Sequence, residues 1–436
     1  MSTFCLGVHD MATGRGKITV ALDTVGCKLN QAETELLAKQ FADAGYQPVT
    51  ATGEADVYIL NTCTVTHIAD RKCRQRLRLA RRQNPGALII ATGCYAERAH
   101  REIARIAGVD LIAGNKHKPH LVKLVEKTAG PGRPATSDAC PGDYTGPRTR
   151  AFIKIQDGCN SSCAYCIVPL VRGGESSLPA DQIVAEVKYR VSLGYREVVL
   201  TGTKVGSYQC DGVGLAELLR RILSETGVSR LRLSSLQPPE ISPGLVALWH
   251  DRRLCRHFHL SLQSGSDSVL RRMKRVYTIG EYQQAVSLLR KMVPEAAITT
   301  DVITGFPGET REEFEQSYEL CHRLDFARIH VFPYSPRSGT GAARFPQPVA
   351  TGVKRARSER MLALAAASAM SFRQRFLSRK VSVLWEKRAT DGVWSGLTDN
   401  YIKVYSRSDE DLTNQLLPVT VTEVWGDGVW GAAYGW

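Results

Sequence analysis

No stretch of this 436-residue chain approaches the roughly 18 consecutive apolar residues of a membrane-spanning helix. Residues 1–17 lack the apolar core of a secretory signal. No low-complexity repeat interrupts the chain. These absences point away from a membrane partner and towards a cytoplasmic protein. Acidic side chains are scarce relative to basic ones: Asp and Glu number 43 against 57 Lys and Arg, for a formal net charge of +14 and a pI near 9.3. A basic surface draws polyanions, and the charge pattern puts nucleic acid ahead of the alternative, a basic enzyme with no polyanionic partner. The remaining composition, 43% hydrophobic and 23% charged, is that of a globular chain. The length favours two to four domains.

Cysteine, by contrast, is abundant, with 12 residues. A cytosolic chain keeps its thiols reduced, so clustered cysteines read as metal ligands or catalysts before they read as disulfides.

The pattern predicts a multidomain α/β chain. Residues 1–16 form an extension. From 17 to 127, apolar runs at 18–22, 57–60 and 87–91 alternate with helical stretches at 33–44 and up to Gln83, which predicts a parallel sheet covered on both faces. Residues 128–148, with Gly130-Pro131-Gly132-Arg133-Pro134, read as a linker. Six apolar runs near 151–156, 197–201, 230–234, 257–262, 297–303 and 328–332 alternate with helices and predict a partial (βα)6 barrel over 149–377, ending in a basic helix at 352–377. Residues 378–436 carry short β-branched and aromatic strands at 381–385, 401–405 and 419–424, which predict a small antiparallel barrel.

Two cysteine constellations stand out. Cys159, Cys163 and Cys166 form a C-x3-C-x2-C run directly after the first barrel strand. A structural zinc site takes four protein ligands, and a fully ligated 4Fe-4S cluster takes four thiolates. Three thiolates with no fourth Cys or His nearby in sequence therefore point to a cubane whose last iron takes an exogenous ligand; the alternative is a zinc loop. The loop leaves the C-terminal end of its strand, where such barrels place their chemistry. The second constellation is dispersed. Cys27, Cys63 and Cys94 each follow one of the three N-terminal strands. Loops at the carboxyl ends of parallel strands converge on one crevice, so these thiols are expected to meet as ligands of a second cluster; three buried structural thiols are the alternative. Cys73, at helical spacing with Ala69, Leu77 and Ala80, reads as apolar packing. Cys5, Cys140, Cys210, Cys255 and Cys321 have no partner pattern.

From about residue 17 onward the chain resembles the radical S-adenosylmethionine methylthiotransferases. The carrying motifs are Thr24-Val25-Gly26-Cys27-Lys28-Leu29-Asn30-Gln31, Asn61-Thr62-Cys63-Thr64-Val65-Thr66, the C-x3-C-x2-C loop, Leu200-Thr201-Gly202-Thr203-Lys204-Val205-Gly206-Ser207-Tyr208, Asp301 through Thr310, and Thr398-Asp399-Asn400-Tyr401-Ile402. The Cys-Lys and Gly-Ser-Tyr versions resemble the type acting on N6-threonylcarbamoyladenosine (t6A) at position 37 of tRNA. The resemblance implies an N-terminal cluster domain, a central partial barrel and a C-terminal TRAM domain. It implies two 4Fe-4S clusters, S-adenosylmethionine as cofactor, a tRNA substrate, and electron and sulfur donors left unnamed (a flavodoxin-type reductant is one candidate). Catalysis would rest on the clusters and the cofactor rather than on further side chains. It places Tyr165, Thr201, Ser234, Gln263, Ser264 and Asp301 by the S-adenosylmethionine pocket. One departure stands out: the segment Val171-Arg172-Gly173-Gly174-Glu175 has a single arginine where relatives carry several. Rival readings are an i6A-type tRNA enzyme, a ribosomal-protein aspartate methylthiotransferase, and a non-catalytic RNA-binding or cluster-carrier protein.

For RNA, Arg71, Lys72, Arg74, Arg76, Arg78, Arg81 and Arg82 lie on one predicted helix with a single sign of charge, and the basic helix at 352–377 is a second candidate. Residues 378–436 hold six basic and eight acidic side chains, so either RNA contacts there are local, through Arg379, Lys380, Lys387 and Lys403, or the basic helices do most of the gripping. Tyr401 would stack on unpaired bases if exposed, or lie buried in its strand.

Overall fold

The computed structural model describes residues 17–50, 53, 55–130, 149–389 and 391–433. The 1–16 extension, residues 131–148 of the linker, Cys5 and Cys140 lie outside them. The chain divides into two compact units, one of residues 1–146 with 170–173, the other of 147–169 with 174–436.

In the first unit five strands form one parallel sheet: β1 (Thr19–Thr24), β2 (Gln47–Val49), β3 (Val57–Thr62), β4 (Leu88–Gly93) and β5 (Leu111–Ala113), in the order β2-β1-β3-β4-β5. The short edge strands β2 and β5 are absent from the sequence reading. β3 is buried at all six positions, as a central strand covered on both faces must be. Its side chains alternate between two cores. Tyr58 and Leu60 pack with Cys73, Leu77 and Ala80 of helix α2 (His67–Gln83), whereas Val57 and Ile59 pack with Leu37 and Phe41 of α1 (Lys28–Asp43). Cys73 is thus core packing, as its spacing predicts. Helix α1 starts at Lys28, not Glu33, because Cys27 itself is the N-cap.

In the second unit the six predicted runs are all present and parallel: β6 (Arg150–Lys154), β7 (Glu197–Thr201), β8 (Arg230–Leu233), which continues past Ser234 as β9 (Ser235–Leu236), β10 (His257–Leu260), β11 (Ala297–Thr304) and β12 (Arg328–Pro333). One sheet runs β8-β7-β6 and the other β9-β10-β11-β12, so the chain changes sheets at Ser234 and leaves an open, partial barrel.

The C-terminal strands β13 (Lys380–Arg388), β14 (Val393–Thr398), β15 (Lys403–Arg407), β16 (Leu416–Trp425) and β17 (Gly428–Ala433) close into a barrel in the order β13-β14-β15-β17-β16. It is not wholly antiparallel as expected: β15 and β17 pair in parallel through Val404↔Val429 and Tyr405↔Trp430. This closing pair leaves no edge among the five strands. The barrel docks on the N-terminal ends of the parallel strands. There Glu197 and Arg232, both with fully buried side chains, pair at 2.7 Å. Arg232 also donates to the carbonyls of Thr398 and Asp399, and Arg230 to those of Ser382 and Leu397. Arg150 pairs with Glu386 at 2.6 Å.

Candidate metal centres

In the first unit the order β2-β1-β3 makes the connection reverse direction between β1 and β3, and the crevice of an open parallel sheet lies at that switch point. Cys27 leaves β1, Cys63 leaves β3 and Cys94 opens the short helix α3 (Cys94–Arg98) straight after β4. The three thiols are neighbours. Burial pushes the Cys63 thiol up to about 12, and nearby Cys27 and Cys94 add to it. The Cys27 thiol is raised by burial and by Cys94 and drawn back down by the Arg172 guanidinium. Cys63 and Cys94 are buried, whereas Cys27 is exposed as a residue although its sulfur lies among protein atoms.

The motif residues around them hold the loops. The Asn30 amide donates to the carbonyls of Val25 and Thr62, and Asn30 Oδ1 accepts from the Cys27 thiol at 3.8 Å. Asn61 Nδ2 donates to Asn30 O at 2.9 Å. Asn115 Nδ2 donates to Cys94 Sγ at 3.6 Å. Gly26 has φ +132, and a Cβ there would come within 2.7 Å of Cys63 Cβ. Only glycine lets the Cys27 and Cys63 loops approach so closely. Beside the thiols Lys118, Glu33 and Arg172 form ion pairs of 2.6 and 3.0 Å. Burial pulls the Lys118 ammonium down, Glu33 holds it up, and Arg172 lowers it again.

In the second unit the 159–166 loop follows β6. Its backbone is pinned by Ala164 N–H donating to Met273 O and Ala342 N–H to Ala164 O. All three of its cysteines are half-buried. Cys159 Sγ accepts from the Ser161 amide at 3.4 Å, and Cys163 Sγ from the Arg275 guanidinium at 3.4 Å. Burial, with Cys163 and Cys159 nearby, pushes the Cys166 thiol up to about 11. Tyr165 packs on Ala164, Val269, Met273, Ile303 and Phe306, and burial holds its phenol well above the ordinary range.

Among the described residues no three His, Cys, Asp or Glu side chains converge at single-ion spacing. A cubane is wider than one ion, so the thiolates on its corners stand farther apart than ligands sharing a lone ion.

The other predicted pocket residues divide. Ser234, at the break between sheets, has a buried hydroxyl with no partner among the described residues. Thr201 is buried at the end of β7. Gln263 adopts φ +67 and exchanges backbone hydrogen bonds with Asp301 and Ile303. Asp301 accepts from His259 at 3.1 Å and Ser261 at 3.2 Å, and although burial opposes it, these partners and His330 hold its carboxyl below the usual range. Ser264 is fully buried, with its hydroxyl against Ser317 and the Ser266 amide. Glu309 fixes the Gly-Phe-Pro-Gly turn, accepting from the Gly305 amide and from Arg357.

The basic residues divide too. On α2, Arg71, Lys72, Arg78 and Arg82 are exposed and without a carboxylate partner among the described residues. Arg74 is bound to Tyr95, Arg76 to Asp23 and Arg81 to Asp110. The basic helix is largely tied down, with Arg357 on Glu309, Arg360 on Glu315 and Arg375 on Asp325. Arg379 pairs with Glu295 and Lys403 with Asp427, while Lys380 opens β13, exposed. Tyr401 is no stacking platform: it sits in a turn with φ +65, its hydroxyl accepts from Arg150, and the Arg232 guanidinium lies 4.0 Å from its ring centroid.

Comparison with known proteins follows the same division. The radical SAM superfamily model matches residues 153–321, and the model described as uncharacterized protein family UPF0004 matches 19–114. The threonylcarbamoyladenosine tRNA methylthiotransferase MtaB of Bacillus subtilis is 36% identical over 421 residues, covering 92% of this chain and 93% of its own. That of Thermotoga maritima is 38% identical over 396 residues, covering 88% and 90%. The chain belongs to the radical SAM methylthiotransferases. A further methylthiotransferase, the tRNA-2-methylthio-N(6)-dimethylallyladenosine synthase of Moorella thermoacetica, is 34% identical over 431 residues, covering 94% and 96%. In fold, the radical S-adenosylmethionine methyltransferase TsrM from Kitasatospora setae, solved with cobalamin and a 4Fe-4S cluster, aligns at a TM-score of 0.54 over 75% of this chain and 74% of its own, with 15% identity.

Methylthiotransferases work with S-adenosylmethionine and two 4Fe-4S clusters. Both thiol groups of this family member fit such a group. Each supplies three sulfur donors, the soft ligands iron–sulfur clusters take. N–H donors reach sulfur in both, and hydrogen bonds to sulfur tune a cluster. The unpartnered Ser234 hydroxyl is a ready contact for a polar cofactor, since a buried hydroxyl without a partner is otherwise costly.

Sequence reasoning missed Arg275, Asn115, Lys118 and Glu33. Their partners lie 21 to 112 residues away along the chain, and no local spacing marks them.

Proposed function

We propose that this methylthiotransferase converts t6A at position 37 of tRNA to its 2-methylthio derivative. In this reading Cys159, Cys163 and Cys166 hold the cluster that binds S-adenosylmethionine, and Cys27, Cys63 and Cys94 hold the second. The observation that carries it is the pair of three-thiol groups, one after the first barrel strand and one across the sheet's switch point. The t6A substrate is supported by the named relatives in Bacillus and Thermotoga, at 36% and 38% identity, against 34% for the dimethylallyl type. When bound, the clusters and S-adenosylmethionine would supply one-electron chemistry and the methyl and sulfur groups destined for C2 of the adenosine. The chain's own work is to bind and orient. Arg275 steadies Cys163, Tyr165 anchors the loop in the apolar cluster around Phe306, and the Ser234 hydroxyl accepts or donates to the cofactor. The exposed stripe Arg71, Lys72, Arg78 and Arg82 engages the tRNA backbone, and Arg379, Lys380 and Lys403 make local contacts.

Nucleoside mass spectrometry of cells lacking the gene tests the substrate: ms2t6A is lost and ms2i6A unchanged. Loss of ms2i6A instead would transfer the chain to the dimethylallyl type. Changing Cys159, Cys163 and Cys166 to Ala abolishes reductive cleavage of S-adenosylmethionine. Changing Cys27, Cys63 and Cys94 spares cleavage and stops thiolation. Thiolation that survived the second change would make those three thiols structural.

A further inference from the structure

Three buried side-chain oxygens with no hydrogen-bond partner among the described residues lie just beyond two neighbouring barrel strands. Thr203 Oγ1 follows β7, and Ser234 Oγ and Glu240 Oε1 follow β8. These segments leave the C-terminal ends of their strands, the end from which the cysteine loop leaves β6. Glu240 is the charged member, with its side chain 11% exposed. Its other oxygen, Oε2, accepts from the Gln237 amide at 2.8 Å. The carboxylate rests against the Gly206 backbone, where a Cβ would come within 1.8 Å of Oε2. Lys204 Nζ stands 3.8 Å from Glu240 and 3.9 Å from Glu175, outside hydrogen-bond reach of both.

Two links tie Glu240 to the cysteine loop. Glu175 accepts from the amide of Asn160, inside the C-x3-C-x2-C run, at 3.3 Å. Arg275 donates to Cys163 Sγ and also acts on Glu240: burial raises the Glu240 carboxyl, while the Gln237 amide, Lys204 and Arg275 draw it down. A buried carboxylate oxygen without a donor is costly, and a ligand that brings one relieves it. S-adenosylmethionine, the family's cofactor, carries N–H or O–H donors on its amino group, its ribose and its adenine; the sulfonium has none. Its amino-acid end alone pairs a nitrogen with a carboxylate oxygen that can reach one iron together, so that end belongs against the cysteines.

We propose that the Glu240 carboxylate accepts a hydrogen bond from the α-amino group of S-adenosylmethionine, with Gly206 leaving the room it needs. The inference rests on the reading that Cys159, Cys163 and Cys166 hold the cluster that binds the cofactor. The bond is charge-assisted, and it fixes the amino-acid end and with it the position of the sulfonium.

The test uses the full chain, reconstituted anaerobically with iron and sulfide and assayed for iron. Equilibrium dialysis then gives affinities for S-adenosylmethionine, S-adenosylhomocysteine and 5′-methylthioadenosine. The second keeps the amino group and lacks the sulfonium charge; the third keeps ribose and adenine and lacks the amino acid. Glu240→Gln retains an acceptor for the Gln237 amide. It is expected to weaken the first two ligands alike, roughly 10- to 100-fold, and to leave the third unchanged. Weakening confined to S-adenosylmethionine would put Glu240 at the sulfonium, and weakening of all three would put it at the nucleoside or make it structural; either overturns the proposal. Should Glu240→Gln lose iron, Gly206→Ala, whose methyl displaces the carboxylate, reads the same pattern across the three ligands. Loss of iron in both variants would make them supports of the loop and overturn the proposal too. A parent that binds no S-adenosylmethionine would overturn the reading of the barrel site itself. A parent that binds it, with both variants at parent affinity, would overturn the role of Glu240 alone.

Discussion

Replacing Arg232 with methionine removes the cation from a pair in which both side chains are wholly buried. Breaking a buried pair from one side costs about 3–5 kcal/mol, because the remaining charge stays in the interior. Here Arg150 and Arg230 still act on Glu197, which puts the cost at the lower end of that range, about 3–4 kcal/mol. The carbonyls of Thr398 and Asp399 also lose their donor, so the change is felt where the C-terminal barrel docks. At a tenfold change per ~1.4 kcal/mol, opening of that contact becomes roughly several hundred-fold more frequent. Hydrogen exchange reads it at the amides of Thr398, bonded to Ile402 O, and Ile402, bonded to Thr398 Oγ1. Replacing both Glu197 and Arg232 by methionine should recover much of the loss, since an apolar pair of similar volume is tolerated. A single variant whose protection changes less than about tenfold, or a double variant worse than the single, would refute the reasoning.

Arg275→Met takes a charge-assisted donor from Cys163; at about 1.5–3 kcal/mol for such a bond, the barrel cluster's retention falls roughly 10- to 100-fold, read as iron content after dialysis against chelator. Ser234→Ala removes an unpartnered buried hydroxyl, so the cofactor-free protein keeps or gains stability while affinity for S-adenosylmethionine falls roughly 2- to 10-fold by calorimetry; unchanged affinity would remove Ser234 from the pocket. Changing Arg71, Lys72, Arg78 and Arg82 together to Gln flattens the slope of log tRNA affinity against log salt by about 3–4, and an unchanged slope would show that the stripe does not touch phosphate. Glu313 is held at about 2, first by Arg272 and also by Ser268 and the Thr310 amide. Its folded value lies below its unfolded one, so its contribution is complete above about pH 4.5 and is lost as pH falls towards 2; Glu313→Gln flattens that part of the stability profile in acid titrations.

The sequence shows the grouping of the thiols better than the residues that support them. Cys27, Cys63 and Cys94 are legible because each ends an apolar run, and the parallel sheet does the converging. The start of α1 reads five residues late because cysteine is not a favoured N-cap, so the side-chain signal that normally marks a first turn is missing. β2 and β5, three residues each, are too short for periodicity to register. The basic helix at 352–377 reads as a free cationic surface because Glu309, Glu315 and Asp325 lie on other elements, 45 to 50 residues away along the chain. The parallel β15·β17 pair is equally hidden, since local alternation gives a strand its faces but not its partner.

Strand β6 carries Arg150, the barrel's anchor, at one terminus and leads within a few residues to Cys159 at the other. The same five-residue rod therefore joins the docking contact at one end to the cysteine loop at the other. A substitution at Arg150 or Glu386 acts on the docking contact from the opposite end of the strand to the cysteine loop.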